Sequence, residues 1–340
     1  MITTSELAAI AGVSQSTVSR ALSDHPSISF ETKERIRRIA LQYGYVLQKK
    51  GRRTYLTDEH KVIGVLVEDR PFFDDLFINY AIGRLISSAA SRNYYTIRLP
   101  ISSLETGSME RLRDFLSANL IDGFVIMHRV FDRKIHEYLS ELGIPHVYLL
   151  HCSRDSVEDV DMVDTDNYTG GYLAAQHLTS RGHRRILTLT CPWREFEDRT
   201  AGFLQGLAAA GLSPDRGSVI RCECSFGSAF EAVSRNIAMF EKASAVYVQS
   251  DIMAAGVISA IHSRGLDIPG DISVIGSDGY DLGLITSPQF DSVAHPIDEL
   301  TDLAVSRLIE CIGSAHPRSP RQIKLRPYIV ERGSVRRIGE

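Results

Sequence analysis

The chain has 340 residues, 44% of them hydrophobic and 24% charged, which excludes disordered and collagen-like chains and leaves room for two or three domains. No apolar run reaches the ~18 residues needed to span a bilayer, Met1–Gly12 lacks a basic stretch followed by an apolar one, and the five cysteines (Cys152, Cys191, Cys222, Cys224, Cys311) are odd in number and scattered, so a cytoplasmic protein without disulfides or membrane contact is expected. The net charge of −4 is uneven: residues 1–57 hold nine Lys/Arg and four Asp/Glu, a net of +5, and the rest hold 29 and 38, a net of −9, as a polyanion-binding module joined to a domain with another task would.

Three short helices are predicted in the basic head. The first begins at Thr3, with Glu6 completing a capping box and Leu7, Ala8 and Ile10 forming its apolar side. Gly12 suits the positive φ of a helix end. Ser14 caps a second helix, Gln15–Leu22, with Val18, Ala21 and Leu22 inward. Asp24-His25-Pro26 is a turn, and Ser29 caps a third helix with Ile36, Ile39 and Ala40 inward and Lys33, Arg35, Arg37 and Arg38 outward. Two helices joined by a Gly-containing turn make a helix-turn-helix, whose second helix enters the major groove by its N-terminal residues. Gln15 and Ser16 lie there, with Arg20 one turn on. Gln suits adenine, Arg suits guanine, and the short hydroxyls Ser14, Thr17 and Ser19 suit phosphate. Read without that frame, the same residues are the solvated face of a small helical domain.

Leu7-Ala8-x-x-Ala11-Gly12-Val13-Ser14-x-x-Thr17-Val18-Ser19-Arg20, followed by Ile28-Ser29, Thr32 and Gly44-Tyr45, resembles the head of the lactose-repressor (LacI/GalR) family near-continuously over residues 3–45. The resemblance implies base reading by Gln15, Ser16 and Arg20, and a backbone grip by Ser14, Thr17, Ser19 and His25. Residues 46–61 depart from the family pattern. The Pro-Asn start of its hinge helix is missing, Gly51 costs ~1 kcal/mol of helix propensity, and Lys49, Lys50, Arg52 and Arg53 are concentrated there. The stretch reads equally as a phosphate-contacting linker that orders on DNA, with Tyr55 or Leu56 as a groove wedge, or as a solvated tether.

From Lys61 the period changes. Buried strands are predicted at Val62–Glu68, Tyr94–Leu99, Asp122–Met127, His146–Leu150, Ile186–Thr190, Ala245–Gln249 and Ile272–Ser277. Helices are predicted at Asn79–Arg92, Glu110–Asn119, Thr169–Arg181, Arg199–Ala210, Ala229–Phe240 and Met253–Arg264. The alternation predicts two doubly wound parallel-sheet α/β lobes over residues 61–340, behind an all-α head with basic linker over residues 1–57. Asp166-Asn167-x-x-Gly170-Gly171-Tyr172-Leu173-Ala174, Gly182-His183-Arg184-Arg185-Ile186, Asp251-x-Met253-Ala254-x-Gly256 and Pro269-x-Asp271-Ile272-Ser273-Val274-Ile275-Gly276-x-Asp278 extend the resemblance to the body. It implies a fold similar to periplasmic sugar-binding proteins, with three crossovers, Ser292–Ser319 returning to the first lobe and Arg321–Gly333 to the second.

Nothing points to an enzyme. Gly-x-Gly-x-x-Gly, Walker and Gly-x-Ser-x-Gly motifs are absent, Ser140 stands where a His136-Glu137 zincin needs its second His, and Cys222-x-Cys224 has no partner pair. No cofactor or metal is expected. Ligands of doubly wound sheets sit beyond the C-terminal strand ends, here Glu68–Phe73, His128-Arg129, Leu150-His151, Trp193–Glu195, Gln249–Asp251 and Ser277–Gly279. The resemblance places effector contacts at Arg199 and Asp278, Ser250 where Asn is frequent, Leu150 where Asp is frequent and His295 where Gln is frequent. The candidate effector set is therefore Phe73, His128, Arg129, Trp193, Arg199, Ser250, Asp278 and His295. Structural roles compete: Arg199 could pair a surface carboxylate, Asp278 could cap a segment, Trp193 could be core, and His128, Arg129 and His295 could be solvated rim.

The expected function is a homodimeric, ligand-responsive DNA-binding transcription regulator, in the leading reading a repressor. It would bind a near-palindromic operator in double-stranded DNA, with a sugar or sugar derivative as effector. His128, Arg129 and Arg194 make an acidic sugar attractive. The alternative is a cytosolic solute-binding protein without DNA function. After Tyr328–Glu331 too little chain remains for the ~3 heptads of a tetramerising coiled coil.

Overall fold

The computed structural model describes residues 3–22, 25–42, 61–68, 76–101, 107–117, 121–129, 131–150, 160–213, 218–314 and 319–339. The basic linker with Lys49, Lys50, Arg52, Arg53, Tyr55 and Leu56 lies outside these residues, as does Phe73. By internal packing the chain forms two compact units: Met1–Asp69, Ala89–Val147 and Val305–Arg318 in one, Arg70–Ser88, Tyr148–Ala304 and Ser319–Glu340 in the other.

The head carries α1 (Thr4–Ala11), α2 (Gln15–Leu22) and α3 (Phe30–Gln42). Thr3 and Glu6 form the reciprocal capping box, and Gly12 ends α1 at φ +65°. Ser14 Oγ accepts from Thr17 N at 3.1 Å and Ser29 Oγ from Thr32 N at 3.3 Å, capping α2 and α3. These caps satisfy amides that the first turn leaves without partners. Leu7, Ala8, Ala11, Val18, Ala21, Ile36 and Ala40 form the core, with Leu22 and Ile39 against it. Ile10 is not part of it: the crossing of α1 with its neighbours is filled by Ala11, and Ile10 stays exposed.

Two six-stranded sheets follow. The first contains β1 (Lys61–Val67), β2 (Tyr94–Pro100), β3 (Gly123–Met127), β4 (His146–Leu149), β5 (Met162–Thr165) and β11 (Gln322–Leu325), in the order β11-β5-β4-β3-β1-β2. The second contains β6 (Ile186–Thr190), β7 (Val219–Arg221), β8 (Ala245–Val248), β9 (Ser273–Asp278), β10 (Asp291–Ala294) and β12 (Tyr328–Val330), in the order β12-β10-β9-β8-β6-β7. The described pairings are parallel except β12 against β10. All seven strands expected from sequence are present, within two residues at each end; β5, β7, β10, β11 and β12, three or four residues each, were not anticipated. The chain changes sheet three times. Its final stretch divides differently from the expectation: Ser292 belongs to β10 in the second sheet, and Gln322–Leu325 pairs with β5 in the first before Tyr328 rejoins the second.

The helices are α4 (Leu76–Ala90), α5 (Ser108–Ser117), α6 (Arg133–Glu141), α7 (Asn167–Ser180), α8 (Arg194–Ala209), α9 (Phe226–Arg235), α10 (Ile237–Phe240), α11 (Asp251–Ser263), α12 (Leu282–Ile285) and α13 (Ile297–Ile312). The α7–α8 contact positions the site described below. A Cβ on Gly171 would lie 1.8 Å from the Arg199 carbonyl oxygen, and one on Gly202 would lie 1.8 Å from that of Tyr168. Only glycine at both points lets the two backbones meet, and their approach brings Asn167 beside Arg199.

Candidate functional site

In the head, Gln15, Ser16, Ser19 and Arg20 are exposed along α2 and Thr17 is half-buried. Ser14 Oγ lies 2.8 Å from both Ser16 Oγ and Thr17 Oγ1, so the hydroxyls at the start of α2 form one cluster. A helix start presents amides and a positive dipole end, suited to phosphate. The Gln15 amide nitrogen donates to Thr4 Oγ1 at 3.0 Å, which fixes the side chain and leaves its carbonyl oxygen for other donors. His25 Nδ1 accepts from Ser27 N at 3.2 Å, so the ring proton sits on Nε2. This exposed surface can meet a duplex; the linker that would add to it is outside the described residues.

The second unit holds a buried polar network at the ends of its strands. Asp166 caps α7 by accepting from Thr169 N at 2.9 Å, which sets the next residue, Asn167, at the helix start. Arg199, in the second turn of α8 and only 5% exposed, donates from Nε to Asn167 Oδ1 at 2.8 Å. Its Nη1 donates to the Gln249 carbonyl at 2.5 Å, and its Nη2 lies 3.1 Å from His295 Nε2. A guanidinium only donates, so His295 Nε2 accepts and Nδ1 donates to Thr165 Oγ1 at 3.1 Å. That tautomer is neutral, and burial followed by the Arg199 charge holds His295 well below the usual histidine range.

Asp278 closes the network from the end of β9. Its Oδ1 lies 3.7 Å from Arg199 Nη1 and 3.9 Å from His295 Nε2. Its Oδ2 accepts from Ser250 Oγ at 3.0 Å and from Asp251 N at 3.1 Å. Asp278 has φ +137°, a backbone state that non-glycine residues rarely adopt and that collects at functional positions. Aromatic rings flank this chemistry. Phe77 of α4 meets His295 edge-on at 5.4 Å and Tyr280 at 6.4 Å, and Tyr80 stacks on Tyr280 at 5.8 Å. Arg199 lies 5.0 Å from the Phe196 ring, whose edge meets Trp193 at 5.7 Å.

The structure thus unites Arg199, Ser250, Asp278 and His295. It places Trp193 one ring behind them, packed partly on the core of the second sheet. His128 and Arg129 end β3 in the first unit, where the Arg129 amide donates to Glu68 Oε1 at 2.9 Å. Leu150 ends β4 at φ +57° and brings no polar atom. Sequence reasoning did not select Thr165, Asn167, Phe77, Tyr80 or Tyr280 as site residues, although Asn167 stands in the Asp166-Asn167-x-x-Gly170-Gly171 motif that carries the resemblance. Among the described residues no group of three or more His, Cys, Asp or Glu could hold a metal ion, and burial pushes the Cys222 thiol up to about 11, away from thiolate chemistry. No described helix is long and apolar enough to cross a membrane.

Comparison with known proteins matches the geometry. Residues 3–48 fit the profile "Bacterial regulatory proteins, lacI family" and residues 175–335 the "Periplasmic binding protein-like domain". The Escherichia coli ribose operon repressor is 27% identical over 98% of this chain and 100% of its own. The Thermobifida fusca regulator CelR is 26% identical over 96% of each. A solved CelR–cellobiose complex superposes with TM-score 0.71 at 24% identity, over 98% of this chain and all of its own. A regulator from Enterococcus faecium with bound ribose superposes with TM-score 0.69 at 26% identity, over 81% of this chain and 99% of its own. A capped helix-turn-helix ahead of two parallel-sheet α/β halves, matched in sequence along nearly its whole length by DNA-binding repressors, places the chain in the LacI family of bacterial transcription regulators.

Proposed function

We propose that the chain is a dimeric transcription repressor whose operator affinity is set by a neutral, polyhydroxylated ligand of the sugar class, held by Arg199, Ser250, Asp278 and His295 against Phe77 and Tyr280. One observation carries the ligand class. Among the described residues the buried cation of the network is Arg199, which lies 3.7 Å from Asp278, and His295 is held neutral. Arg194 faces Glu197 at 3.5 Å. Among the described residues, the Asp278 carboxylate already faces Arg199 and Ser250, which disfavours a second carboxylate at this point. Hydroxyls suit the set: Asp278 accepts, Arg199 keeps N–H groups beyond those bonded to protein, and aromatic faces cover sugar C–H surfaces. Ribose and cellobiose in the solved relatives agree with this class.

Two heads of a dimer would read successive major grooves of a near-palindromic operator. Ligand and DNA affinities then shift each other by one reciprocal coupling energy, a few kcal/mol at most. The test is a salt-dependent gel shift on the native upstream region, combined with a thermal-shift screen of neutral sugars against uronates, aldonates and phosphorylated sugars. Stabilisation by a sugar acid and by no neutral sugar would overturn the ligand class. Loss of all sequence-specific shift would favour the solute-binding alternative.

A further inference from the structure

We propose that α5 and α6 form a seat for the DNA-reading head, in which Arg113 of α5 is shared between Phe30 of α3 and Tyr138 of α6 and holds the head oriented for its operator. The inference rests on operator reading by the head and adds how the body sets that head's readiness. The head, α5 and α6 all belong to the same compact unit. Phe30 opens α3, takes no part in the head's own core and remains 57% exposed.

The contact is specific. The Arg113 guanidinium carbon lies 5.1 Å from the centre of the Phe30 ring and 5.7 Å from that of Tyr138. Both distances fall within the ~6 Å over which a ring face attracts a cation. Arg113 Nε is buried and meets no hydrogen-bond acceptor among the described residues, so rings replace water on that side of the guanidinium. Phe30, Glu34 and Arg37 follow one another at helical spacing and share one face of α3. Ile36 and Ala40 point the other way, into the head's core. Glu34 and Arg37, 3.3 Å apart, are half-buried although they lie outside that core. Both act on the same body residue. Burial, then the Glu34 carboxylate, raises the Tyr138 hydroxyl above the usual tyrosine range, against the guanidinium groups of Arg113 and Arg37. One face of α3 is thus turned to α5 and α6.

The reading face stays free. Gln15, Ser16, Ser19 and Arg20 are exposed along α2 while α3 meets the body, so the seated head is competent for DNA. A head already oriented spares the operator complex part of the orientational cost of binding. One cation between two rings is a modest contact, so losing it should weaken operator binding without abolishing it.

The test uses the full chain in two measurements. A gel shift on the native upstream DNA compares wild type, Phe30→Ala, Arg113→Ala and the double variant. Each single substitution should weaken operator binding about tenfold, and the double variant should be no weaker than either, because one contact is lost in all three. Affinity unchanged or raised in the single variants, or a loss of about 100-fold in the double variant, overturns the seat. Amide hydrogen exchange of the DNA-free protein reads the docking itself across the contact. Phe30→Ala, on the head, should speed exchange in α6 of the body, and Arg113→Ala, on the body, should speed it at the Phe30 end of α3. Exchange unchanged across the contact in both variants overturns the docking. If wild-type protein does not shift the upstream DNA, the operator reading fails, and the exchange result alone decides the seat.

Discussion

Arg199→Ala tests the network most directly. Truncation removes the donor from Asn167 Oδ1, the Gln249 carbonyl and His295 Nε2, and all three acceptors are buried. Hydrogen bonds to a charged group contribute about 1.5–3 kcal/mol each, and Asp278 would lose the guanidinium that lies 3.7 Å from it, a penalty of up to a few kcal/mol. These effects share one network and do not add in full, so about 4 kcal/mol of stability is the expected loss. Urea unfolding should show it as a lower midpoint with an unchanged slope. Effector response should vanish, whereas the head, which has its own core around Leu7, Val18, Ala21 and Ile36, should still bind operator. The double variant separates network from simple truncation. Asp278→Asn destabilises the wild type but removes the carboxylate that has lost Arg199 in Arg199→Ala, so there it should recover about 1–2 kcal/mol. A loss below about 1 kcal/mol for Arg199→Ala, or strict additivity with Asp278→Asn, would refute the role of Arg199 as the centre of this network.

Gly171→Ala and Gly202→Ala each drive a methyl into a carbonyl of the facing helix; each should cost several kcal/mol in thermal or chemical unfolding, and Gly171→Ala, which strikes the Arg199 carbonyl itself, should also weaken effector binding, while wild-type stability would show that the helices part freely. Arg20→Ala should lose ~1–3 kcal/mol of operator affinity with little change in non-specific binding, measured by competition gel shift; an unchanged ratio removes Arg20 from the readout. Neutralising Lys49, Lys50, Arg52 and Arg53 together should flatten the slope of log K against log salt by up to about 3.6 if each meets a phosphate, and an unchanged slope would leave the linker in solvent.

The head was legible because its signals are local. The Thr3–Glu6 box, Gly12 and the caps at Ser14 and Ser29 each act within a few residues, and all four appear where expected. Ile10 went wrong because a one-turn pattern does not say which flank of a short helix meets its neighbours. The central strands were legible for a different reason. Strands buried on both faces read as continuous apolar runs, as Val62–Val67 does. The short strands broke that rule. Met162–Thr165 and Asp291–Ala294 each carry a carboxylate into full burial. For Asp291, burial alone would raise the carboxyl, but the bond from His177 at 2.9 Å and the backbone amides of Arg332, Ser334 and Gly333 outweigh it and hold it low. No reading of the segment alone supplies partners that lie more than 40 residues away.

The site divides along the same line. Arg199 and Asp278 could be singled out because strand ends and the family pattern both point at them. Their meaning could not, because it depends on who pairs with whom. Counted in sequence, His128, Arg129 and Arg194 add cationic character and make an acidic sugar attractive beside the leading reading of a sugar or sugar derivative. Placed in space, Arg194 faces Glu197, and Arg199 lies 3.7 Å from Asp278. His295 is fixed as an acceptor by a residue 96 positions away. Two further buried carboxyls act here, Asp164 toward Arg199 and Asp251 toward Asp278, and the cationic count includes neither. The sign of a binding site is a property of its pairings, and the pairing of Arg199 with Asp278 is what the proposal of a neutral, polyhydroxylated ligand rests on.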